Sequence, residues 1–183
     1  MKKNKMALDL LTTLCYLIRD DRYLMLHRVK KEGDLNKDKW IGVGGHFEEG
    51  ESPEDCVRRE VLEETGLTLL AQDFRGVVTF VYQGVDGERI TEYMHLFTST
   101  RFSGIMTECE EGELEWIPIC EAERLPIWEG DKIFFRLLRE NRPFFSLKLC
   151  YEQDELTEAV LDGTALEISQ TGPADTMCRP AEE

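Results

Sequence analysis

The chain has 183 residues, 42% of them hydrophobic, enough to bury one domain-sized core. Its formal net charge of −15 disfavours nucleic acid or an anionic membrane as a partner, yet a small anion remains approachable through a bound cation. The six cysteines, at positions 15, 56, 109, 120, 150 and 178, show no CxxC and no paired spacing, so reduced thiols in a cytosolic protein are expected, not a zinc site or disulfide framework.

In chain order, the opening MKKNKMALDLLTTLCYLIRDD has a basic start and an apolar run. That run is broken by Asp9, by Thr12 and Thr13, and by Arg19-Asp20-Asp21, and it lacks a small-residue cleavage site. It reads as a strand, not a signal peptide or membrane span. Leu10–Ile18, a turn at Asp20-Asp21 and Tyr23–Val29 form a predicted hairpin. A polar loop, Lys30–Lys39, ends at Trp40 and is followed by Ile41-Gly42-Val43-Gly44-Gly45, where absent side chains let backbone approach a ligand. Ser52 is a predicted N-cap, Pro53 suits the first helical position, Asp55 completes a capping box and Gly66 supplies a left-handed stop. These signals define a helix over Pro53–Thr65.

Phe74–Tyr82 and Glu92–Thr100 are strand-like and joined by a Gly84-Val85-Asp86-Gly87 turn. An acidic loop, Glu108–Glu113, leads into the apolar run Leu114–Ile119, and Glu121–Leu125 can form one helical turn. Glu129–Arg139 places Ile133, Phe134, Leu137 and Leu138 at core-helix spacing. Phe144–Tyr151 and Leu156–Leu161 make a closing hairpin. Residues 1–164 are read as a single α/β domain, and the polar, aperiodic residues 165–183 as a disordered tail.

On the Pro53–Thr65 helix, Glu60, Glu63 and Glu64 are spaced i, i+3 and i+4 and share one face. Each i,i+4 like-charge pair costs roughly 0.2–0.5 kcal/mol, and negative charge in the last turns opposes the helix dipole. A hard divalent cation such as Mg²⁺ or Mn²⁺ reverses that sign, since it takes oxygen ligands from such carboxylates. A solvated acidic face would show the same bare pattern. The wider spacing decides between them. Gly45, five residues, Glu51, seven residues and then Arg59-Glu60-Val61-Leu62-Glu63-Glu64-Thr65-Gly66-Leu67 fill the pattern GX5EX7REUXEEXGU, where U is bulky and aliphatic. Chance produces that in a chain of this length less than about once in a million.

The chain therefore resembles the Nudix hydrolase superfamily. The resemblance implies a Nudix fold, an α/β/α sandwich around a mixed β-sheet, and hydrolysis of a nucleoside diphosphate linked to another moiety with Mg²⁺, or Mn²⁺ as substitute. It implies metal binding by Glu60, Glu63 and Glu64 and by the Gly44 carbonyl, with one glutamate taking the proton from water; which one is left open. Arg59 would hold a glutamate by a charge-assisted pair, and Glu51 could serve by terminating the loop. Glu111, with Glu110 as neighbour and competitor, is similar to a downstream metal ligand of MutT-type members. Arg28 stands where that branch contacts phosphate, and Gly45 where backbone meets the substrate.

Leu125-Pro126-Ile127-Trp128-Glu129-Gly130-Asp131 is similar to the base-recognition segment of oxidised purine nucleoside triphosphatases (8-oxo-dGTP diphosphatases). On that resemblance Trp128 stacks on a purine, Asp131 bonds its edge, and Phe80 and Thr13 line the pocket. A core tryptophan followed by a helix-capping aspartate is the alternative. Three positions depart from the branch: Ile41 replaces a base-reading Asn, Gly130 replaces the first of two acids, and His46 stands where Lys is common. The implied activity is pyrophosphohydrolysis of a non-standard purine triphosphate in nucleotide-pool sanitation. ADP-ribose, a dinucleoside polyphosphate or a canonical dNTP as substrate, or a non-catalytic nucleotide-binding role, are the alternatives.

Overall fold

The computed structural model describes residues 10–30, 35–84 and 87–168. In it, β1 (Leu11–Arg19) and β2 (Arg22–His27) form the predicted hairpin across Asp20 and Asp21, which take positive φ values of 51° and 55°. Leu14, Cys15, Tyr16 and Leu17 are all buried because β1 is covered on both faces, which explains its continuous apolar run. A two-residue β3 (Trp40–Ile41) pairs with β2 directly after the expected Lys30–Lys39 loop.

Helix α1 (Pro53–Thr65) has the expected limits. The Ser52 hydroxyl accepts the Asp55 amide at 3.1 Å, the Asp55 carboxylate accepts the Ser52 amide at 3.1 Å, and Gly66 ends the helix at φ 71°. No basic residue stands in its last turn, so the glutamates there receive no help from a C-terminal cation. β4 (Leu67–Gln83) and β5 (Arg89–Gly104) are longer than the runs expected. Register shifts between Leu69 and Ala71, Ala71 and Asp73, and Phe74 and Gly76 break the two-residue alternation, which hides the strand's first half in the sequence. β6 (Glu113–Pro118), a 3₁₀ turn (Ala122–Arg124) and α2 (Asp131–Arg139) follow, then the hairpin β7 (Phe145–Glu152) and β8 (Glu155–Leu161).

The strands form one mixed sheet in the order β3-β2-β1-β5-β4-β7-β8-β9, where β9 is the two-residue strand Thr164–Ala165, with β6 on β2. β1–β5 and β4–β7 are parallel and the other pairs antiparallel. One core cluster, including Tyr16, Val78, Phe80, Phe134, Phe135 and Leu149, lies between the sheet and α2. The other, including Cys15, Leu17, Val57, Val61 and Phe97, lies between the sheet and α1. This is the α/β/α sandwich expected.

Three expectations change. Pairing continues past residue 164: β9 (Thr164–Ala165) pairs with β8, and Leu166 and Ile168 pack on the core. The rest of the expected tail, and residues 1–9, lie outside the described residues. Cys120 is disulfide-bonded, whereas Cys15, Cys56, Cys109 and Cys150 are free; scattered cysteines do not announce a single bridge in the sequence. α2 starts at Asp131, two residues later than expected, and its N-cap is Gly130, with no side-chain capping bond. Among the described residues no helix is long and apolar enough to cross a membrane.

Candidate active site

α1 packs on β1 and β4 through Val57 and Val61, which turns Glu60 and Glu64 inward and leaves Glu63 exposed. Glu64 is buried, and its carboxylate accepts the Gly44 amide at 2.7 Å. Its carboxyl is pushed up to about 8 by burial, with the Glu111 and Glu60 charges adding and the Gly44 bond opposing. Burial likewise raises Glu60, against its bond from Arg59.

Arg59 organises the acidic wall. Its Nε and Nη2 reach the two oxygens of Glu51 at 2.7 and 2.9 Å, a two-pronged pair. Nη1 reaches Glu60 at 2.7 Å and Glu63 at 3.2 Å, and Nη2 also donates to the His46 carbonyl at 3.0 Å. Glu51 accepts the Glu48 amide as well, so it closes the loop while holding Arg59. The hydrogen bond from Arg59 holds the Glu51 carboxyl below its ordinary value.

The glycines before α1 are required by contact. A Cβ on Gly44 would lie 2.1 Å from the Thr13 carbonyl oxygen, at φ +150°; one on Gly45 would lie 2.6 Å from the Glu60 carboxyl. The first neighbour is backbone and cannot yield. The second is a side-chain end and can. Gly44→Ala is therefore expected to destabilise the fold by about 2–4 kcal/mol in urea unfolding. Gly45→Ala should leave the midpoint nearly unchanged while displacing Glu60 and lowering activity.

Across the cleft, Arg28 ends up paired with Glu111 and Glu110 is exposed. Glu60, Glu63, Glu64, Gly44, Gly45, Arg28 and Glu111 border a cavity of about 590 Å³. Its far end is lined by Trp128, Asp131, Phe80, Met94 and Ile41. Trp128 meets Phe80 at 5.5 Å and Tyr151 at 5.0 Å between ring centroids, donates to the Asn36 side chain at 2.8 Å, and carries the Lys39 ammonium 4.3 Å from its ring centroid. Lys39 therefore already covers one face of the indole. Thr13 borders the cavity, but its hydroxyl lies 3.5 Å from the Cys56 sulfur on the α1 side.

Asp131 is buried and its carboxyl has no hydrogen-bond partner among the described residues, so it is not the helix cap that the plain reading required. Burial pushes it up to about 8, with Lys39 opposing. Between the ordinary value near 4 and about 8 the folded chain binds this proton and the unfolded chain does not, so stability falls as pH rises through that window. Asp131→Asn should flatten this decline in urea midpoints from pH 4 to 8. A slope unchanged from wild type would show that Asp131 is not buried as described. Glu64 keeps a residual slope of the same sign.

Residues 10–138 match the NUDIX domain family. The chain belongs to the Nudix family. This Nudix hydrolase is 29% identical over 151 residues to the oxidized purine nucleoside triphosphate hydrolase of Mus musculus, covering 82% of this chain and 93% of that one. It is 30% identical over 154 residues to the protein of the same name in Danio rerio, covering 83% and 94%. Its fold matches the crystal structure of a MutT protein from Bacillus halodurans with a TM-score of 0.72 and 29% identity, over 83% of this chain and 97% of that one. Nudix hydrolases act on small nucleotide substrates with divalent metal ions.

The acidic wall fits such an ion by its chemistry. Burial and mutual repulsion both disfavour the charges of Glu60 and Glu64, and their carboxylates line the cleft with the oxygen donors that a hard divalent ion takes. Among the described residues no three acidic, His or Cys groups form a ready-made cage. Glu64, Glu60 and Glu111 are instead held by Gly44, Arg59 and Arg28, bonds that an ion would partly replace.

Sequence reasoning missed Thr12, Glu92, Met94 and Asn36 at this cavity. Glu92 had a signal: Ile90, Glu92, Met94 and Leu96 fall on one face of β5 at period two, an acid within an apolar stripe.

Proposed function

We propose that this Nudix hydrolase cleaves an oxidised or otherwise non-standard purine nucleoside triphosphate to the monophosphate and pyrophosphate, sanitising the nucleotide pool in the cytoplasm. The observation that carries the reading is one cavity of about 590 Å³ joining the acidic wall of α1 to the end lined by Trp128, Phe80 and Asp131. A triphosphate placed toward Glu60 and Glu64 puts its base toward those aromatics. The relatives named oxidized purine nucleoside triphosphate hydrolase align over more than four fifths of the chain and support it.

In this reading Glu60, Glu64, Glu63, Glu111 and the Gly44 carbonyl hold Mg²⁺, which supplies charge neutralisation at the phosphate oxygens and a lowered water pKa. Arg59 fixes the Glu60 carboxylate, and Gly45 gives it room. Arg28 passes from Glu111 to a phosphate oxygen. Water adds to a phosphorus of the triphosphate chain, the bond between the α- and β-phosphoryl groups breaks, and the water proton passes to one of the three helix glutamates. Trp128 and Phe80 hold the base by apolar contact and Asp131 bonds its edge.

A panel assay of phosphate and pyrophosphate release tests this with Mg²⁺ and with chelator. Purine triphosphates should be hydrolysed only with Mg²⁺, yielding pyrophosphate. Preference for ADP-ribose would overturn the substrate, and no hydrolysis of any nucleotide would overturn the catalytic reading.

A further inference from the structure

With Ile41 and Gly130 where polar base readers were expected, the far end of the cavity needs another source of polar discrimination. Phe80 and Glu92 are direct partners in the β4–β5 register, and Thr12 and Met94 in the β1–β5 register. All four border the cavity, and Phe80 abuts Trp128. Glu92 thus stands one strand spacing from the aromatic wall, on the same face of the sheet. The Thr12 hydroxyl, itself buried, donates to Glu92 Oε1 at 2.6 Å and sets the carboxylate's orientation. Thr12 is held in turn, since its carbonyl lies 3.0 Å from His95 Nδ1. The second carboxylate oxygen, Oε2, has no hydrogen-bond partner among the described residues.

We propose that Glu92, oriented by Thr12, is a specificity-determining residue that accepts hydrogen bonds from the base. A carboxylate offers acceptors only, and its free oxygen is satisfied by N–H donors. The chemistry selects a purine presenting an amino group at C2 beside a ring N–H over one lacking that amino group, because the second leaves the acceptor unpaired against the bound base. Thr12 is a positioning residue for this contact. Glu92 lies on β5, apart from the metal-facing carboxylates, so its removal leaves the phosphate chemistry in place.

This inference rests on the nucleoside triphosphate reading above, and the test separates the two. Steady-state kinetics of the full chain with Mg²⁺ are measured on dGTP and dITP, which differ only by the 2-amino group. Wild type should favour dGTP by about 10-fold in kcat/KM, carried by KM. Glu92→Leu should bring the two substrates within about 2-fold, the loss falling on dGTP and carried by its KM. Thr12→Val should give an intermediate ratio, and Glu92→Gln, which keeps one acceptor, should retain part of the preference. Equal use of both substrates by wild type, or an unaltered ratio in Glu92→Leu and Thr12→Val, overturns the role of Glu92 and leaves the triphosphatase standing. Hydrolysis by wild type of neither substrate, nor of 8-oxo-dGTP run beside them, overturns the triphosphate reading itself.

Discussion

Glutamine at position 60 or 64 is expected to lower turnover by about 10²–10⁴-fold while leaving the chain folded. Glutamine keeps an acceptor for the Gly44 amide, at 2.7 Å from Glu64, and for the Arg59 guanidinium, at 2.7 Å from Glu60, so neither change opens a hole. What is lost is negative charge on the wall of the cleft, and with it affinity for a divalent ion. The same charge is a burden to the empty fold: burial raises both carboxyls, that of Glu64 to about 8. Glu64→Gln should therefore unfold at an equal or higher temperature than wild type in metal-free buffer at neutral pH. Mg²⁺ should reverse the order. Binding at 100 times its Kd stabilises wild type by about 2.7 kcal/mol, or roughly 5–10 °C, and the glutamine variants by less. Calorimetry with and without Mg²⁺, beside steady-state rates, checks both halves. Near-normal turnover in either variant would remove that residue from the site.

Arg59→Ala should cost both stability and activity. Its guanidinium is the shared partner of Glu51, Glu60 and Glu63, and removing it leaves the half-buried Glu51 and Glu60 facing each other without a cation. Truncating one member of a buried ion pair costs about 3–5 kcal/mol; side-chain exposures of 21% for Arg59, 15% for Glu51 and Glu60, and 60% for Glu63 favour the lower end. At about 3 kcal/mol the Tm falls by roughly 6–12 °C. Lysine should recover only part of this, because a single ammonium cannot span both Glu51 oxygens and Glu60 together. The pH response adds a second check. Glu51 is held below its ordinary value by Arg59, so its contribution is present above that ordinary value and is lost as pH falls. Arg59→Ala should lose this part of the acid sensitivity in urea midpoints. An alanine variant with wild-type Tm and rate would make Arg59 a solvated surface group.

The elements read most accurately from the sequence are those whose signals are local. α1 runs from Pro53 to Thr65 as expected because Ser52, Asp55 and Gly66 act within a few residues of the ends they fix. β4 was half missed because its bulges interrupt the alternation on which strands are recognised. Asp131 was legible as a residue but not as a role. Only the packed structure shows that it caps nothing and that its carboxyl is buried beside Trp128 and Phe80.

By itself, the sequence determined the family, the helix that carries Glu60, Glu63 and Glu64, and the glycines that admit them. Each of these follows from spacing along one short stretch of chain, where helix geometry dictates which side chains share a face. The tertiary structure decided what those carboxylates confront. Thr12 meets Glu92 across 80 residues of chain and Arg28 meets Glu111 across 83, contacts made only when β1 pairs with β5 and β2 with β6. Strand pairing is a long-range choice set by the burial of whole faces, so the partners at the two ends of the cavity are fixed only when the sheet is complete.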